Sequence, residues 1–133
     1  MTHGVLLTAA LEELARVTRL AWPDCEVVIG PVVGVASPGR AFVNVGTARR
    51  EPFTVGRRET LADLQVGLLL PGEAGTRSTS ALTRADFLIA AVTGAGLALG
   101  RAPAVGTVQY GADDLGRAWL QATVSVALEE GQP

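Results

Sequence analysis

Between Gly4 and Leu20 apolar residues recur at helical spacing, with Leu7, Ala10, Leu11, Leu14 and Ala15 on one side and Glu12, Glu13, Arg16 and Arg19 on the other. The pattern predicts an amphipathic helix. Pro23 stops it, because proline lacks a backbone donor and pushes Trp22 out of the helical region. Glu26-Val27-Val28-Ile29 then reads as a short strand, closed by Gly30-Pro31, and Arg40 to Val45 reads as a second after the turn Ser37-Pro38-Gly39. From Glu59 to Leu70 the period is two: Thr60, Ala62, Leu64, Val66, Leu68 and Leu70 share one face of a half-buried strand.

Pro71 to Thr79 is turn-rich. Thr79 or Ser80 can cap a second helix running from Ala81 to Val92, with Leu82, Ala85, Leu88, Ile89 and Val92 as its buried stripe and Gly94 and Gly96 as its stop. Val105 to Tyr110 and Arg117 to Glu129 are the last strands, joined through the turn at 111–116. In the final strand Ala118, Leu120, Ala122, Val124, Val126 and Leu128 alternate with Trp119, Gln121, Thr123 and Ser125, and Trp119 and Tyr110 are expected in the sheet core. Thirteen extended residues span roughly 43 Å, longer than a usual strand, so part of this segment is expected to be available to a neighbour. The fold class is α+β: one domain over 1–133, order α-β-β-β-α-β-β, with a mostly antiparallel sheet and two helices on one face.

Composition removes most chemistry. The 13 acidic residues are nearly matched by 11 basic ones, all arginine, which argues against a strongly basic reader of nucleic-acid sequence. The single cysteine, Cys25, excludes an internal disulfide and a multi-cysteine zinc site and reads as a buried or half-buried thiol, and the single histidine, His3, lies near a terminus expected to fray, which argues against a catalytic triad or a histidine-rich metal site. Asp113-Asp114 lacks the further ligands of a dedicated calcium site and reads as a solvated turn, and the adjacent pairs Glu12-Glu13 and Glu129-Glu130 read as surface groups. Gly94 to Gly100 departs from the dinucleotide fingerprint, following a helix where that motif opens one. No catalytic residue, metal or cofactor is expected. The start of the chain lacks a basic region before its apolar residues, and the uncharged run Phe87 to Gly100 is shorter than the ~20 residues of a membrane span, so a cytoplasmic, membrane-free protein is expected.

The segment at about 46–58 is the most unusual. It reads as a projecting loop or hairpin tip, in which Arg49, Arg50, Arg57 and Arg58 flank Pro52-Phe53. Arginine suits bidentate pairing across an interface, and an aromatic on an exposed tip is an anchor for a pocket. A solvated loop with compensating charges, a subunit interface and a phosphate contact are the readings these residues allow. As an interface, its residues are Arg49, Arg50, Phe53, Arg57 and Arg58.

A leading helix ending in Trp22-Pro23-Asp24, a short strand at Glu26 to Ile29, the Arg49 to Glu59 segment, a strand leaving it at Glu59-Thr60, a helix around Ala81 to Val92 and a hairpin closing with Gln121 to Glu129 together resemble the tail terminator, or tail completion, proteins of long-tailed bacteriophages. The resemblance lies in size and element order over nearly the whole chain, and head-closure and neck proteins of similar size resemble it too. It implies a structural virion protein without enzymatic activity. Such a subunit forms a hexameric ring that caps the tail tube and joins it to the head-tail connector. Its partners are then copies of itself, the tube protein and the connector, with DNA passing through the ring, first in the host cytoplasm and then in the virion tail. From a different class, a small cytoplasmic ligand-binding or enzymatic α+β domain would need convergent polar groups in a deep cleft.

Overall fold

In the computed structural model, residues 3–30, 39–54, 57–70, 77–95, 101–112 and 118–129 are described. Helix α1 (His3–Ala21) is followed by β1 (Glu26–Ile29), β2 (Arg40–Thr54), β3 (Arg57–Leu69), α2 (Arg77–Thr93), β4 (Arg101–Ala112) and β5 (Ala118–Glu129). This is the α-β-β-β-α-β-β order of an α+β domain. The strands form one five-stranded sheet in the order β1-β2-β3-β5-β4. β1 runs parallel to β2, and every other pairing is antiparallel.

The alternating pattern decides which face is covered. Leu64, Val66 and Leu68 of β3 and Leu120, Ala122, Val124 and Val126 of β5 are buried beneath the helices, together with Val27, Ala41 and Val43. Leu14, Ala15 and Val17 of α1 and Ala85, Leu88 and Val92 of α2 close this core from above. α1 lies against β1 and β2, α2 against β4 and β5, and the helices lie against each other.

The opposite sheet face carries no described helix. There Phe42 lies over Gly67 and Trp119 over Gly111, each an aromatic ring filling the space above a cross-strand glycine. A side chain at Gly67 would collide with the Phe42 ring, so the ring lies where it does because residue 67 is glycine.

Of the loop and hairpin-tip readings of the segment at about 46–58, the structure has the hairpin: it is paired strand on both sides of residues 55–56, and β2 and β3 are paired from Ala41↔Leu68 to Thr54↔Arg57, with irregularities at Val45/Thr47 and Pro52/Thr54. Backbone groups supply the ladder bonds, so a charged run can pair as strand. Three expectations are corrected. β5 does not offer its backbone to a neighbour, since β3 and β4 occupy both of its sides. Tyr110 is exposed because β4 is an edge strand, and Trp119 is half-buried on the open face, so neither belongs to the core. Leu82 and Ile89 are exposed because α2 is covered only toward the sheet and toward α1. In addition, α2 begins at Arg77, placing Thr79 and Ser80 inside its first turn. The turn at 113–116, with its two aspartates, lies outside the described residues.

Candidate subunit interface

The arginine-bearing segment is the outer arm of the β2–β3 hairpin. β1 flanks β2 only from Arg40 to Val43, so from Asn44 to Thr54 the outer side of β2 is a sheet edge. Gly46, Thr47, Ala48 and Arg49 are all exposed along it. Arg49 stands opposite Leu61, Arg50 opposite Thr60, Pro52 opposite Arg58 and Thr54 opposite Arg57. Arg49, opposite Leu61, belongs to the open face. The backbone of Arg50, Phe53, Arg57 and Arg58 is described, whereas their side chains lie outside the described set. Phe53 occupies the irregularity between Pro52 and Thr54, where the ladder admits an extra residue.

On the open face a polar row crosses three strands. Asp63 accepts hydrogen bonds from the Ser125 hydroxyl at 2.8 Å and the Thr47 hydroxyl at 3.3 Å, tying β5 and β2 to β3. These residues, with Arg49, Leu61 and Ala127, line a shallow depression of about 490 Å³. It brings together one carboxylate, one guanidinium and two hydroxyls. Between the helices lies an apolar groove of about 560 Å³, lined by Val17, Leu20, Pro23, Phe87 and Ala91 among others. Among the described residues no cluster of three or more His, Cys, Asp or Glu could hold a metal. No described helix is long and apolar enough to cross a membrane.

One polar cluster went undetected in the sequence because its members are far apart. Arg84 of α2 donates to both oxygens of Asp24, at 3.0 and 2.6 Å, and lies 3.2 Å from the Cys25 sulfur. The Trp22 indole donates to the Arg84 carbonyl oxygen at 2.9 Å. Together they bolt the α1–β1 turn to α2. The hydrogen bonds from Arg84 hold the Asp24 carboxyl down at about 2, while burial pushes the half-buried Cys25 thiol up.

The pair has a pH signature. Because the folded-state pKa of Asp24 is depressed, its contribution to stability is present above the ordinary carboxylate range and is lost as pH falls toward about 2. Asp24 is largely solvent-exposed, so screening keeps the effect modest. Chemical denaturation between neutral pH and about pH 2 should show a shallower acid loss for Asp24→Asn than for the parent. Equal slopes would mean that the bridge does not couple to folding.

No family model matches the chain, and no curated protein matches it significantly in sequence.

Proposed function

We propose that the chain is the tail terminator subunit of a long-tailed bacteriophage, assembling as a hexameric ring that caps the tail tube and meets the head connector. The observation that carries this reading is the β2–β3 hairpin, whose arginine-bearing outer arm is flanked by no described strand beyond Val43. A tube grows because each ring presents the same complementary surface to the next. A terminator binds that surface and presents a different one, so growth stops.

Ring closure requires two unlike patches on each subunit. The hairpin arm supplies one, through Arg49, Arg50, Phe53, Arg57 and Arg58. The open sheet face supplies the other, where half-buried Leu61 lies beside the Asp63 row and half-buried Phe42 and Trp119 lie farther along the same face. A formal charge of −2 suits a channel through which DNA slides, since an arginine-lined lumen would hold phosphates. The arginines accordingly face neighbouring subunits.

Mass measurement in solution followed by negative-stain imaging tests the reading. Six-fold rings are expected, on their own or once tube ends are supplied, and particles that never close into rings would remove it. Arg49→Glu/Arg50→Glu should shift the size-exclusion profile from rings toward free subunits. An unchanged profile would displace these arginines from the contact.

A further inference from the structure

The sheet edges are not equally protected. At β1 the outward carbonyl of Val27 is taken by the Arg19 guanidinium at 3.2 Å, and Glu26 pairs with Arg40. The outer arm of β2 carries Arg49, Arg50, Glu51 and Pro52 and two irregularities. The first half of β4 holds Arg101, Pro103 and two register shifts. Short length, charge, proline and bulges are the devices by which proteins keep edges from pairing. From Thr107 to Ala112, β4 has none of them: the segment is uncharged, lacks proline and stays in unbroken register with β5.

Its outward groups can be assigned from the ladder. Leu70 donates to the Ala118 carbonyl, so the peptide groups of Ala118 and Leu120 face β3, and those of Trp119, Gln121 and Thr123 face β4. Their partners are Gly111, Gln109 and Thr107. The N–H and C=O groups of Val108, Tyr110 and Ala112 therefore point away from the sheet, and no described residue takes them.

The helix above this edge is apolar on the same flank. Arg84, Phe87 and Ala91 turn toward α1, while Ala85, Leu88 and Val92 point into the core. At about 100° per residue, Leu82 and Ile89 fall on the remaining side of α2, the β4 side, with Asp86 at its rim. They are 53% and 42% exposed, and Tyr110, on the helix-bearing face opposite Leu120, is 51% exposed.

We infer that this flank binds a second copy of the chain, β4 against β4, antiparallel, with a two-fold axis at Tyr110. That register uses every outward group of Val108, Tyr110 and Ala112, and places Tyr110 against its own copy. An axis normal to the sheet keeps both α2 helices on the same side, so Leu82 and Ile89 meet their counterparts as the strands pair. The flank is self-complementary in both layers, and this argues for a copy of the chain as its occupant. β1 is unsuited as the other half because Arg19 already caps it.

A five-residue ladder from Val108 to Ala112 is about 17 Å long, and with one helix layer it makes an interface smaller than the standard ~800 Å² per partner. Half-association is expected at tens of micromolar, on the order of a weak homodimer. A two-fold contact cannot close a six-membered ring, so the inference does not rest on the ring reading.

Sedimentation of the full chain over a wide concentration range should show a monomer–dimer equilibrium at sub-saturating concentrations. Tyr110→Pro should abolish it, because proline is tolerated where a strand N–H faces solvent yet blocks pairing there. Tyr110→Lys is the second variant, placing charge on the edge without altering the backbone. Either should weaken dimerisation at least tenfold while leaving the far-ultraviolet circular dichroism unchanged. Any rings should persist, since their contacts lie elsewhere. In a Cys25→Ser background, Tyr110→Cys should form an intermolecular disulfide on mild oxidation, because directly paired residues lie about 5.5 Å apart, and Gln109→Cys should not. A chain that stays monomeric at hundreds of micromolar, dimers untouched by both edge variants, or cross-linking through Gln109→Cys alone would each overturn the inference. Rings that fail to appear while the dimer persists would count against the terminator reading alone.

Discussion

Replacing Trp22 with alanine is expected to cost about 3–5 kcal/mol, a large share of the ~5–15 kcal/mol that holds a domain of this kind together. Trp22 is 1% exposed and sits where α1 ends, so its ring fills the junction between α1, the turn and α2. Its backbone N–H closes the helix on Thr18, its carbonyl receives the Cys25 amide, and its indole reaches across to Arg84. Truncation removes the ring volume and the tie to α2 together. Trp22→Phe separates these contributions: it keeps most of the apolar volume and loses the indole donor, so about 1–2 kcal/mol is expected. Urea denaturation followed by circular dichroism measures both. A midpoint for Trp22→Ala within error of the parent would show that the junction is not built around this ring.

The Trp22 junction shows where the sequence stops being readable. Pro23 announces the end of α1 from local rules alone, because the loss of a donor and the restriction on Trp22 act on neighbours in the chain. That Asp24 pairs with Arg84 has no local signal: the two residues are brought together only when α1 packs beside α2. The same division runs through the sheet. Strict alternation from Thr60 to Leu68 assigns the covered face of β3, since side-chain direction follows from position in the strand. Alternation does not say which strand is at the edge. Tyr110 has the residue type of a core position and an exposed environment, and β5, the longest apolar pattern, is interior.

The candidate site is less legible still. Arginine density marks the segment from Arg49 to Arg58 as unusual, but charge says nothing about whether the backbone is paired, and it is the pairing with β3 that makes the segment a hairpin arm. Asp63 could have been singled out as a carboxylate within an otherwise uncharged stretch of strand. Its partners Thr47 and Ser125 come from strands distant in the chain. The unprotected half of β4 is visible as a run without charge or proline, although its exposure depends on strand order, which no periodicity encodes.

Leu64→Ala is expected to cost about 2–5 kcal/mol, whereas Leu82→Ala should leave subunit stability within about 0.5 kcal/mol. In the sequence both leucines fall on a buried stripe, and only the packing separates them. Leu64 is 0% exposed at the centre of the sheet, between Val45 of β2 and Val124 of β5, so truncation leaves a cavity that neither strand can collapse to fill. Leu82 is already in water and loses little. If its flank meets a second copy, the cost of Leu82→Ala is displaced from folding to association: the denaturation midpoint measured at low concentration stays in place while the dimer weakens. A fall in that midpoint matching the one for Leu64→Ala would instead mean that Leu82 is packed within the subunit.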